Sequence, residues 1–167
     1  MPRIELKTII ATDNIELVFD LIRSIDLHLV STGKTNEKAI AGKTSGLISL
    51  GETVTWRAKH LGVYQELTSV ITDYNRPFFF ADEMLKGAFK SFRHEHYLRQ
   101  ENRTIVVKDI FIYKSPYGFL GKLVDFLFLK NYMKRFLEER NKTIKKYTES
   151  GEGQEILNKM KKINEDS

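Results

Sequence analysis

The sequence contains no cysteine among its 167 residues. That absence excludes disulfides, thiolate metal sites, cysteine nucleophiles and CxxC redox chemistry together. Proline occurs three times and glycine ten times. The glycines never form GxGxxG or a P-loop, and Lys43-Thr44 follows a single glycine outside any strand–loop–helix context, which argues against nucleotide binding. Long apolar runs are missing too. The longest apolar cluster, 118–129, is interrupted by Lys122 and Asp125 and is too short to cross a bilayer. Residues 1–7 lack the apolar core of a secretion signal, so a cytoplasmic protein is expected. Nothing in this composition calls for a cofactor.

What is present suits one soluble domain. Hydrophobic residues make up 41% and charged residues 29%, a globular rather than a disordered balance, and the length supports one core, not two. The 11 Phe, 7 Tyr and 1 Trp are a heavy aromatic load. Such rings need a thick core or a cavity to line. The net charge of +5 sits in one place: residues 130–146 carry seven Lys or Arg against two Glu, so the remainder balances. On a helix this gives either a solvated outer face or a basic stripe for an anionic lipid surface or a protein partner. Nucleic acid is not expected.

Ile4 and Leu6 alternate with Glu5 and Lys7, so the chain opens with a strand. Asp13 then stands before Ile15, Phe19 and Ile22 at helical spacing, with Glu16 three residues on, the arrangement of a capping box. A second short helix is expected over 24–30, ended by Gly33. From 37 to 113 the period is two, with turn residues recurring, which reads as an antiparallel meander. In 53–60 the apolar face is Val54, Trp56, Ala58 and His60. In 89–98 Phe92, His94, His96 and Leu98 share a face taken as inward, and in 104–113 the inner set is Val107, Asp109, Phe111 and Tyr113. Asp82 and Glu83, being adjacent on a strand, point to opposite faces and cannot act as a carboxylate pair. Of Phe78, Phe79 and Phe80 at least one ring must face outward. A long helix is expected over 120–148, with Leu120, Leu123, Leu127, Phe128, Tyr132, Phe136 and Leu137 recurring at three and four. The expected organisation is one domain over 1–148 and a polar tail over 149–167. Such a sheet must cover its apolar face, and the long helix is the element available to do it.

Several segments resemble a known family. They are Ala39-Ile40-Ala41-Gly42-Lys43-Thr44-Ser45-Gly46-Leu47-Ile48, Leu50-Gly51-Glu52-Thr53-Val54-Thr55-Trp56, Asp82-Glu83-Met84, and Gly87-Ala88-Phe89-Lys90-Ser91-Phe92 with His94 and His96. Asp109 leading to Tyr113-Lys114-Ser115-Pro116-Tyr117-Gly118-Phe119-Leu120-Gly121 completes the set. In order and spacing they are similar to the SRPBCC superfamily, which includes START lipid-transfer domains, plant pollen allergens and polyketide cyclases. Its bacterial members of uncharacterised function are the nearest in local sequence. The resemblance spans about residues 3–147. Many members carry Ala-Pro before the first helix where this chain has Ala11-Thr12. The resemblance implies an α+β helix-grip fold, in which a curved sheet of six to seven antiparallel strands wraps a long C-terminal helix and two short helices follow the first strand. It also implies a cavity for an apolar or amphipathic small molecule.

The candidate ligand-binding residues are then Trp56, His60, Phe80, Phe92, His94, His96, Asp109, Phe111, Tyr113, Leu123 and Leu127. The rings and leucines would supply apolar contact, while His94, His96 and Asp109 would anchor a polar end. The same three could serve as acid and base in a cyclase, dehydratase or hydrolase acting on a polyketide-like or aromatic substrate. The HxH pair would bind a metal only with a third ligand, for which His60, Glu66 and Asp109 are candidates; no metal is expected. A third reading is an interaction module working through Lys130, Lys134, Arg135, Arg140, Lys142, Lys145 and Lys146.

Overall fold

The computed structural model of the protein describes residues 1–60, 62–115 and 128–165, with side chains for all of these except 34 and 161–165. The element order is β1 (Arg3–Ile10), α1 (Ile15–Ile22), α2 (Ile25–Ser31), a short 3-10 turn (Gly33–Thr35), β2 (Lys38–Gly42), β3 (Thr53–His60), β4 (Val63–Asn75), β5 (Phe79–Lys86), β6 (Ser91–Glu101), β7 (Thr104–Lys114), α3 (Lys130–Glu149) and α4 (Glu152–Glu165). The seven strands form one open antiparallel sheet in the order β1-β7-β6-β5-β4-β3-β2. Only the β1–β7 contact is non-sequential; every other neighbour follows along the meander.

The sheet is bent by bulges. The pairing register shifts at Ile40 in β2, at Thr72 in β4 and, opposite Thr68 and Ser69, at Leu85 in β5. Each extra residue bends its strand and adds twist. At the β2 end Gly42 has a φ of +72°, and a Cβ there would stand 2.3 Å from the Thr53 carbonyl oxygen. Only glycine fits that turn.

The two short helices enter with side-chain caps. Asn14, not Asp13, caps α1: its side-chain oxygen accepts from the Leu17 amide at 2.9 Å. Both residues are good caps, and the choice falls one position later because the first helical turn begins at Ile15. Glu16, expected to close a capping box, instead reaches Arg76 at 3.4 Å. Ser24 caps α2 through the Leu27 amide at 3.1 Å. That helix ends on Thr32 rather than Gly33, whose place is the start of the 3-10 turn.

Helices α1, α2 and α3 and the inner face of the sheet share a core. Val18, Phe19, Leu21 and Ile22 of α1 meet Phe80, Leu98, Ile105 and Val107 of the sheet. A second cluster joins Ile4, Phe92, Phe111 and Tyr113 to Leu137 of α3. Phe80 is buried whereas Phe78 is exposed, and Phe79 stacks on Tyr97 on the outer face at 4.6 Å. The expected first part of the long helix, with Leu120, Leu123 and Leu127, lies outside the described residues.

The segment read from the sequence as a polar tail contains α4. Leu157 is buried, Ile156 and Met160 pack on the same core, and Gly153 comes so close to α1 that a Cβ would stand 2.6 Å from a Leu21 methyl. Ile156, Leu157 and Met160 are diluted by charged neighbours, so the segment reads as polar although one stripe of it is buried.

Candidate functional site

A cavity of about 800 Å³ lies between the inner face of the sheet and helices α1, α2 and α3. Period-two alternation delivers its wall. From β3 come Val54, Trp56, Ala58 and His60; from β5, Phe80 and Asp82; from β6, Phe92, His94 and His96; from β7, Phe111. Helix α3 adds Tyr132, Met133, Phe136, Leu137 and Arg140.

Of the residues named from the sequence, Trp56, His60, Phe80, Phe92, His94, His96 and Phe111 line this cavity. Asp109 does not line it. It stands behind the histidines, 1% exposed, and accepts from His96 Nδ1 at 2.6 Å and Asn141 Nδ2 at 2.6 Å. Tyr113 is fully buried, packed against Phe89 and Phe111 at ring distances of 5.1 and 5.6 Å, and backs the wall instead of forming it. Leu123 and Leu127 lie outside the described residues.

The β5–β6 register sets the polar end. Phe80 faces His96 and Asp82 faces His94 across the ladder. The rings of Phe80 and His96 stack at 4.3 Å, and those of His94 and His96 stand 4.0 Å apart. An ionised carboxylate can only accept, so His96 carries its proton on Nδ1 toward Asp109. Its Nε2 then lies 3.7 Å from an oxygen of Asp82. His94 Nε2 is buried and makes no hydrogen bond, 3.5 Å from Asp109. Burial, then the neighbouring His96, pushes the His94 pKa down to about 4, so the ring is neutral at pH 7. Burial alone would raise the pKa of Asp109, but the contact with His94 and the hydrogen bond with His96 outweigh it and hold the carboxyl well below the usual range. Asp82 is likewise held low against its burial, chiefly by His96.

Asp82 joins the site although the sequence pattern does not single it out. The signal existed: a strand that turns Phe80 inward turns Asp82 inward two residues later, while Glu83 faces out and pairs with Arg93. Of the proposed third ligands to the HxH pair, His60 and Glu66 do not join it and Asp109 binds the far side of His96.

A second polar group sits elsewhere on the wall. The ring of His28 in α2 packs tilted against Trp56 at 4.2 Å, with Nε2 3.3 Å from Glu37. His60 Nδ1 and the Tyr132 hydroxyl are 2.8 Å apart. Burial lowers the His60 pKa, opposed by the Glu37 charge.

Arg140 corrects the expected basic stripe. It is 6% exposed, lines the cavity and donates to the Ile22 carbonyl at 2.9 Å. Four residues after Phe136 and three after Leu137, it falls on the inward face of α3. Elsewhere on that helix Lys142 pairs with Glu139 at 2.9 Å and Lys145 with Glu149 at 2.6 Å. Among the described residues no helix is long and apolar enough to cross a membrane.

No protein-family model and no curated protein matches the sequence. Solved structures do match in fold. The protein TTHA0849 from Thermus thermophilus superposes with a TM-score of 0.71 at 14% identity, over 87% of this chain and 95% of that one. A START superfamily protein from Mycobacterium smegmatis gives 0.67 at 10% identity, over 89% and 97%. Major latex-like protein 151 of Panax ginseng gives 0.63 at 15% identity, over 87% and 96%. At such identities the likeness speaks for the fold alone. The chain therefore has the helix-grip fold, shared with the START superfamily protein and the latex-like protein, and this is the fold that its sequence resemblance implies.

Proposed function

We propose that this protein binds or carries a hydrophobic or amphipathic small molecule, lipid-like or aromatic, in the cavity beneath α3. The observation that carries the reading is a void of about 800 Å³ bounded by Trp56, Phe80, Phe92, Phe111 and Phe136 and polar in only a few places. Ligand sites have this size and this mix of apolar wall and sparse polar groups. Burying about 300 Å² of apolar ligand surface contributes about 7 kcal/mol before the costs of association. His94, His96 and Arg140 offer hydrogen bonds to a polar end, with Asp109 holding His96 in place. Native mass spectrometry of the chain purified from its own host tests the idea. A copurifying apolar adduct, released on unfolding, is the expected result. A chain that carries no adduct and fails to displace or take up any of a panel of fatty acids and aromatic probes would overturn it.

One observation favours a second reading, catalysis in the same cavity. His94 and His96 stand side by side on the cavity wall, their rings 4.0 Å apart, with Asp109 orienting His96 as a carboxylate orients an imidazole acid or base. On that reading His94→Ala abolishes turnover of a bound polyketide-like or aromatic substrate while leaving its binding largely intact. Equal loss of both favours a carrier.

A further inference from the structure

We propose that Asp82, His94 and His96 form a binding site for a first-row divalent transition ion such as zinc. The inference goes beyond ligand binding in the cavity and does not depend on it.

The donors already converge. One ligand atom from each of the three residues lies within 4.8 Å of the other two, and His96 Nε2 stands 3.7 Å from Asp82. In a tetrahedral site with bonds of about 2.1 Å, donors stand about 3.4 Å apart. Side-chain rotations of about 1 Å close the difference without moving the β5–β6 ladder that fixes all three residues.

The polar groups around the three donors suit a bound cation. His96 stands between two carboxylates, with Nδ1 2.6 Å from Asp109 and Nε2 3.7 Å from Asp82, so a metal ion could take the place of a proton on Nε2 while Asp109 keeps the one on Nδ1. His94 adds a buried ring nitrogen with no hydrogen-bond partner. Two carboxylates face this cluster, Asp82 and Asp109, against the one guanidinium of Arg140, which is 3.9 Å from Asp109. Both carboxylates would stabilise a cation bound between them and the imidazoles.

The outer contacts have the form that metal-bound histidines need. Asp109 holds His96 at 2.6 Å and is itself held by Asn141 at 2.6 Å, fixing both the tautomer and the ring direction. Two imidazoles and one carboxylate, with no thiolate in the chain, suit zinc, iron(II), cobalt(II) or nickel(II) better than calcium or magnesium. All three residues line the cavity, so the remaining coordination positions would be taken by water or by a donor on a ligand.

The test is a titration of the chelator-treated full-length chain with cobalt(II), read by visible absorption, followed by displacement with zinc. One equivalent should bind with the bands of a low-symmetry nitrogen and oxygen site, and zinc should raise the thermal midpoint. Asp82→Asn, which keeps the side chain's shape, and His94→Ala should each weaken binding by about 10-fold or more. Cooperative thermal unfolding of Asp82→Asn shows that the fold survives, so the outcome stands even where His94→Ala fails to fold. Absence of the bands in the unsubstituted chain, or equal binding by Asp82→Asn, would overturn the site.

Discussion

The imidazole of His96 and the carboxylate of Asp109 meet at 2.6 Å with both side chains 2% exposed. A carboxylate so far from water is tolerable only because several groups share it: His96, Asn141 and, at 3.9 Å, Arg140. It ties β6, β7 and α3 together at the polar end of the cavity.

Asp109→Ala is therefore expected to destabilise the fold by about 3–5 kcal/mol, because it strands a buried guanidinium, an amide and an imidazole at once. Asp109→Asn retains the shape and one acceptor and should cost less. Urea denaturation of the two variants measures both. A loss below about 1 kcal/mol for Asp109→Ala would mean that water enters in the carboxylate's place.

Stability should fall on mild acidification. Burial and the neighbouring His96 take the His94 pKa from 6.5 down to about 4. Between those values the unfolded chain binds the extra proton and the folded chain does not, so the contribution is present above pH 6.5 and lost as pH falls toward 4. At most it amounts to about 3 kcal/mol. His60, lowered mainly by burial, acts with the same sign. Asp82 and Asp109, both held low, add a further loss below the ordinary carboxylate range. Urea midpoints of the metal-free chain at pH 7.5, 6 and 5 should decline in that order, and His94→Phe should flatten much of the slope. A profile level from pH 7.5 to 5 would show that His94 is hydrated.

Much of this was legible in the alternation of the strands. Trp56, His94 and His96 face inward because their neighbours Arg57, Arg93 and Glu95 must face water, and period two leaves no other choice without a bulge. What alternation cannot convey is which inward residues meet. Asp82 joins the histidines through the β5–β6 register, and His28 reaches Trp56 from a helix that a local pattern cannot place over β3. Arg140 departs from the expected stripe for a different reason: a long cationic side chain counts as surface in any periodicity argument, yet an inward guanidinium is stable when carbonyl and carboxylate oxygens surround it. Tyr113 shows the limit of the inner-face argument, since the same face supplies both the cavity wall and the packing behind it.

The C-terminal helix should matter to stability. Leu157 is 5% exposed and shares a core with Val18, Leu21 and Ile22. Leu157→Ala is expected to cost about 2–4 kcal/mol. A chain ending at residue 149 should lose at least as much, having exposed α1 to water, with the thermal midpoint several degrees lower. Were the truncated chain as stable as the whole, α4 would be a passive appendage and the domain would end where the sequence pattern suggested.

Whether the space beneath α3 is a working void can be decided at Ala58, which is 3% exposed on β3 and borders the cavity between Trp56 and His60. In a filled core, Ala58→Phe forces neighbouring side chains off their rotamers and costs about 1–3 kcal/mol. In a void the ring enters free space, gains contact with the aromatic wall, and leaves the urea midpoint almost unchanged. The volume it takes is then lost to any occupant, so affinity for a fatty acid or an aromatic probe should drop by about 10-fold or more, a change of about 1.4 kcal/mol. Isothermal titration of both forms with one probe, set beside their denaturation curves, separates the two cases. Unchanged affinity together with lowered stability would place the bound molecule elsewhere and refute a ligand cavity under the helix.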